Sequence, residues 1–222
     1  MKTKLFGRST ITGAIIAINV VVYVITRILP DVLNAAMFFV PYALSEPWRF
    51  LTSAFLHGGL IHLAFNMITL YFVGVGLERA LGAWRYIFAY LCSAVAGNVA
   101  MVVTSALTGD PWIAAVGASG AVFGLFGVWL AINWRDWRNT QSMLIFLGIN
   151  LVWGVFAANV AWQAHIGGLL AGIVLGFAWM RSARTARTRR REFIRDVVSS
   201  GAVVIALGAI AYGAMLFVPV RI

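Results

Sequence analysis

The sequence predicts an all-α polytopic membrane protein, a six-helix bundle followed by one further transmembrane helix at the C-terminal end. Three observations carry this. The chain is 62% hydrophobic and only 11% charged, too apolar for a surface that is wet all round. Its apolar residues gather in stretches near the roughly 20 residues that a helix needs to cross a hydrocarbon core of about 30 Å. Its basic residues collect in alternate connections between those stretches, as cytoplasmic loops do. Helices and closed barrels are the two ways to pair every backbone group in lipid, and the short alternating segments of a barrel are not seen.

In chain order the first stretch is 11–29, "ITGAIIAINVVVYVITRIL". Preceded by two lysines it looks like a secretory signal, but its apolar part is too long and no A-x-A site follows, so it reads as an uncleaved helix. The segment 30–59 is too apolar for a solvated loop. Phe38, Phe39, Tyr42, Trp48, Phe50 and Phe55 predict short helices lying in the membrane interface. Further spans are expected at 60–78, 84–107, 117–134, 141–158 and 164–181. The basic run "RSARTARTRRREFIRD" then precedes a seventh, 197–218. We therefore expect a core over 1–181, a basic cytoplasmic linker over 182–196 and an additional C-terminal helix over 197–222. No long internal repeat is evident, which argues against an inverted-repeat transporter. The single Cys92 can form no internal disulfide and reads as a packing residue.

A cytoplasmic N-terminus puts 14 of the 17 basic residues inside and leaves Arg27, Arg49 and Arg221 outside. Trp84, Trp134, Trp137 and Trp179 then belt the inner interface, and Trp48, Trp112 and Trp162 the outer one. The net charge of +10 needs no nucleic acid. The arginine run reads as a topology anchor that also meets anionic lipid. The short chain without a targeting extension leads us to expect a bacterial plasma membrane.

Polar side chains at membrane depth are functional candidates by default. With this topology all three histidines fall on the outer side. His57 and His62 flank the start of the second span, and Asn66 follows His62 by one turn on the same face. Ser119 opens the fourth span and His165 the sixth. Ser119 and His165 form a candidate nucleophile and general base. Phe123, one turn below Ser119, is placed to orient the imidazole by stacking. His62, Asn66 and the backbone N–H of Ser119 are candidate oxyanion donors. Gly120 with Gly124, and Gly168 with Gly172 and Gly176, make small-residue faces that let two helices approach closely. The blander alternatives stay open here. Ser119 can bond its own helix, His165 can be an interface histidine, and His57, His62 and Asn66 can tie the 30–59 segment to the bundle. No cysteine or carboxylate sits at metal-ligand spacing and no H-E-x-x-H occurs, so no metal or other cofactor is expected.

In these motifs the sequence resembles the rhomboid family of intramembrane serine proteases. "GASG" at 117–120 is similar to the family's G-x-S-G around its nucleophile. "AHIGGLLAG" at 164–172 is similar to its A-H-x-x-G-x-x-x-G, and "HGGLIHLAFN" at 57–66 to its H-x4-H-x3-N. The Trp48-Arg49 pair and "GLERALGAWRY" add to the likeness. The resemblance implies a six-plus-one rhomboid fold that hydrolyses peptide bonds in or near transmembrane segments of other membrane proteins. Ser119 would be nucleophile, His165 base, His62 and Asn66 oxyanion donors, His57 structural, and Gly117, Gly120, Gly168 and Gly172 supporting glycines. The implied substrate enters laterally, past the fifth span and the 159–164 cap, with Phe65 and Trp153 as gate residues. Phe123 stands where the family often has a tyrosine. Two rivals remain: a non-catalytic relative, against which Ser119 and His165 both being present argues, and a channel or transporter. The latter would carry polar residues on to the inner halves of the helices, which here are Leu, Val, Phe and Gly.

Overall fold

The structure, a computed structural model, describes residues 10–156 and 160–219, with backbone alone for 137, 139 and 151–156. In chain order the helices are α1 (Thr10–Ile28), α2 (Pro30–Ala36), α3 (Arg49–Thr52), α4 (Leu60–Leu81), α5 (Ala83–Thr108), α6 (Ser119–Asn133), α7 (Trp137–Phe156), α8 (Trp162–Thr185) and α9 (Arg189–Met215). Among the described residues, α1, α4, α5, α8 and α9 are long and apolar enough to cross a membrane. The protein is an all-α, integral, multi-pass membrane protein, as its composition predicts.

The centre of the bundle is α6, buried without interruption from Gly120 to Val128 and enclosed chiefly by α5 and α8. Glycines explain how closely α6 and α8 approach. A Cβ on Gly168 would overlap the Gly120 carbonyl, one on Gly172 the Gly124 carbonyl, and one on Gly176 would lie 3.1 Å from Val128 Cα. Each step of four residues along one helix matches four along the other, so the two run parallel and in register. Around this pair, α4 packs on α1 and α6, and α9 lies against α5 and α8.

Polar ties fix the peripheral helices. The Glu78 carboxylate, near the end of α4, accepts the N–H groups of Ile11 (3.1 Å) and Thr12 (2.9 Å) and the Thr12 hydroxyl (2.7 Å). It thereby caps the start of α1, where unpaired donors and the helix dipole both favour an anion. Gly82, at φ +76, makes the abrupt break between α4 and α5. At the same end of the bundle Arg85 donates to Glu192 (2.6 Å) and Asp196 of α9 (Nε, 3.0 Å), and Trp179 donates to Ser200 (3.1 Å). The rings of Trp84, Trp179 and Phe193 close over this contact. The arginine-rich segment is helical on both sides of a turn at 186–188, because α8 runs on to Thr185 and the Thr188 hydroxyl caps α9 by accepting the Arg191 N–H (3.2 Å).

The 30–59 segment contains the short helices α2 and α3 and single 3-10 turns at Val40–Tyr42 and Ser53–Phe55. Its apolar surface includes Tyr42, Leu44, Trp48 and Leu51, all exposed. Buried Arg49 organises it by donating to Glu46 (2.6 Å) and to the carbonyls of Asn34 (2.7 Å) and Met37 (2.8 Å). One feature lay outside the sequence expectation: β1 (Phe38–Phe39) pairs antiparallel with β2 (Ala114–Ala115), Phe38 opposite Ala115.

Candidate active site

Gly117 has φ +133, a region open to glycine and strained for other residues. It turns the chain from β2 into α6, with Ala118 as N-cap accepting the Val122 N–H at 2.9 Å. Ser119 is thus the first residue of α6, and the N–H groups of that first turn have no partner within the helix. His165 sits in the first turn of α8. Because α6 and α8 run parallel on their glycine faces, their N-terminal ends lie side by side. Ser119 Oγ and His165 Nε2 are 2.9 Å apart.

The imidazole is held on its flat side. Phe123 stacks on His165 with ring centroids 4.2 Å apart and planes within 4°. His165 is buried, and Nδ1 has no hydrogen-bond partner among the described residues. When Nε2 accepts the Ser119 proton bond, the ring proton resides on Nδ1.

His62, on the first turn of α4, faces this pair across Gly117. A Cβ on Gly117 would lie 2.8 Å from His62 Cε1, 2.9 Å from its Nε2 and 3.7 Å from Ser119 Oγ. Only a glycine admits both side chains to the one space. His57 meets His62 edge-on at 5.1 Å, fully buried. Burial first, and the neighbouring His62 second, push the His57 imidazole down to about 4, so it is neutral at pH 7. Asn66 lies one turn below His62, buried, and its amide donates to the His62 carbonyl at 3.0 Å. The structure therefore gathers Ser119, His165, Phe123, His62, His57 and Gly117 at one end of the bundle, with Gly120, Gly168 and Gly172 as the contact surface beneath. Phe65 is exposed on α4, on the outside of the bundle. The Trp153 side chain lies outside the described residues.

A cavity beside Ser119 is lined by Ser53, Ala54, Asn98, Gly117, Ala161 and Ala164 among others. Its walls are mostly small residues, Ala115 of β2 among them. Among the described residues no three His, Cys, Asp or Glu side chains are grouped to hold a metal ion.

The rhomboid domain family matches residues 44–182 of this chain, a stretch that holds every residue of the cluster. The chain belongs to the rhomboid family. Among curated relatives of this rhomboid, RHOMBOID-like protein 4 of Arabidopsis thaliana is 40% identical over 141 residues, 60% of this chain and 34% of the relative. Rhomboid protease GluP of Bacillus subtilis (strain 168) is 38% identical over 135 residues, 59% of this chain and 25% of the relative. Putative rhomboid protease YdcA of the same organism is 34% identical over 137 residues, 60% of this chain and 67% of its own length. The chain thus spans about a third and a quarter of the first two.

Two polar residues of this rhomboid's cavity escaped the sequence reading. Asn98 carried a usable signal, since it is an amide inside the third apolar stretch and the rule that selected Asn66 selects it too. Ser53 carried none, because nothing in the 30–59 segment marks it as facing inward.

Proposed function

We propose that this protein is an intramembrane serine endopeptidase that cleaves peptide bonds in or near transmembrane segments of other membrane proteins with a Ser119–His165 dyad. The observation that carries the reading is the 2.9 Å contact of Ser119 Oγ with His165 Nε2, with Ser119 lining a cavity. Family membership and relatives whose names include rhomboid protease support it.

In this reading His165 Nε2 takes the Ser119 proton as Oγ attacks the scissile carbonyl, and the carbonyl oxygen becomes an anion. The Ser119 N–H, at a helix N-terminus, and the side chains of His62 and Asn66 stabilise that anion. His165 then gives its proton to the departing amine, releasing one product and leaving an acyl ester on Ser119. A water, deprotonated by His165, hydrolyses the ester and restores the serine. Phe123 keeps the ring in plane throughout. The transmembrane substrate enters from the side, past Phe65 and Trp153, and must unwind, because a helix keeps its carbonyls in hydrogen bonds. The active site opens to the outer face, the N-terminus lies inside, and the arginines between 181 and 195 lie against anionic lipid headgroups.

The test is labelling of the detergent-purified protein with a fluorophosphonate, alongside Ser119→Ala and His165→Ala. Label on the wild type alone is expected. Absence of label on a folded wild type, or label persisting on Ser119→Ala, would remove the nucleophile assignment. Asn66→Ala should retain weak cleavage, about 10²-fold down, the usual loss for one oxyanion donor.

A further inference from the structure

Asn98 lies on the cavity face of α5, 5% exposed. An amide at this depth is costly to place unless its hydrogens are used. Its Nδ2 donates to two acceptors of one short turn, the Phe50 carbonyl at 2.9 Å and the Ser53 hydroxyl at 2.8 Å. Two bonds from one planar amide fix that turn in both position and rotation. The Ser53 main-chain carbonyl in turn accepts the Gly117 N–H at 2.9 Å. Gly117 is the residue whose φ of +133 aims the chain into α6 and whose missing Cβ admits His62. A few residues earlier the same stretch is pinned by the β1–β2 pairing and by Val40 N–H on the Ile113 carbonyl, 3.0 Å. The approach to the serine is therefore tied at two places along the chain. On α5 the side chain that holds the turn bonded to Gly117 is Asn98, in addition to the ties that Arg49 and Thr52 make to 34–37.

We propose that Asn98 is a positioning residue for the nucleophile: through Phe50 and Ser53 it fixes Gly117, and through Gly117 the place of the Ser119 hydroxyl and backbone N–H. This rests on the reading of Ser119 as nucleophile. Asn98 and Ser53 act in series, so removing either loosens the same joint. A displacement of about 1 Å at a reacting group lowers rates by about 10²-fold, whereas binding of substrate elsewhere is untouched. The effect belongs in kcat rather than KM.

The experiment compares wild type, Asn98→Ala, Ser53→Ala, the double variant and Ser119→Ala in liposomes. Three quantities are read: the rate constant for fluorophosphonate labelling, kcat and KM for a quenched fluorescent transmembrane peptide, and Tm. Asn98→Ala should lower labelling and kcat by one common factor, between about 10- and 100-fold. KM should stay within about twofold, and the double variant should lose no more than the worse single one. Labelling at the wild-type rate in Asn98→Ala, a change confined to KM, or losses that multiply in the double variant would overturn the proposal. Should Asn98→Ala not fold, Ser53→Ala carries the test, since it keeps the Ser53 carbonyl and its full activity would overturn the proposal equally. Label on Ser119→Ala would instead remove the nucleophile reading itself.

Discussion

Among the described residues His165 Nδ1, the atom a triad carboxylate would hold, has no hydrogen-bond partner, and a phenyl ring lies flat against the imidazole face. In the proposed mechanism, orientation of the imidazole therefore falls to Phe123. Phe123→Ala should slow fluorophosphonate labelling about threefold to tenfold, the range of one aromatic contact, while Phe123→Tyr keeps the ring and the rate. His57 makes a second prediction at this scale. Its protonation is held down to about 4 by burial and by His62, so the unfolded chain binds its proton at higher pH than the fold does. Stability is then full above about pH 6.5 and falls as pH drops toward 4, by at most about 3 kcal/mol. Tm measured against pH for His57→Leu should show a shallower acid limb than wild type. Single polar residues in apolar sequence were easy to read: Ser119, His62 and His165 stood out because membrane helices have few of them. Ser53 did not stand out, since its role comes from where a turn happens to face.

Among the elements, the α6–α8 pair is built from glycine backbones in contact, and this was legible as spacing in the sequence. Gly168→Val or Gly172→Val would drive a side chain into the Gly120 or Gly124 carbonyl. Backbone cannot yield as a side chain can, so each should cost about 3 kcal/mol or more, or prevent folding. Gly201→Ala on α9, where a Cβ meets nothing within 4 Å, should be neutral or slightly stabilising. Thermal denaturation in one detergent compares all three. The β1–β2 ladder was not legible, for a physical reason: two residues per strand are too few to show any alternation. It exists because Arg49 and Thr52 bind the carbonyls of Asn34, Met37 and Ala36 and so present Phe38 and Phe39 to Ala114 and Ala115.

On the scale of the whole molecule, seven apolar stretches could be read from hydrophobicity alone, but the seat of α9 could not. Five of the described helices that fall on those stretches, α1, α4, α5, α8 and α9, are long and apolar enough to cross a membrane. Glu192, Asp196 and Ser200, spaced by four, form one polar stripe, and they fell in or beside a segment that read as a basic linker. In the fold the stripe meets Arg85 and Trp179. Asp196 is fully buried. Arg85→Met should strip it of that cation at a cost of about 3–5 kcal/mol, seen as increased proteolysis of the 182–196 region. Arg85→Met with Asp196→Leu should recover much of the loss. Labelling of Ser119 should persist in both folded variants, since α9 contributes no side chain to the cavity lining. Finally, α6 spans about 22 Å at ~1.5 Å per residue, and its long buried run touches protein rather than lipid. Its solvent is its neighbours. Stretching or thinning the bilayer acts on α1, α4 and α9 and reaches the serine at second hand. The intrinsic reactivity of Ser119 should therefore change little between short-chain and long-chain lipids, even where such lipids alter how a substrate helix is presented.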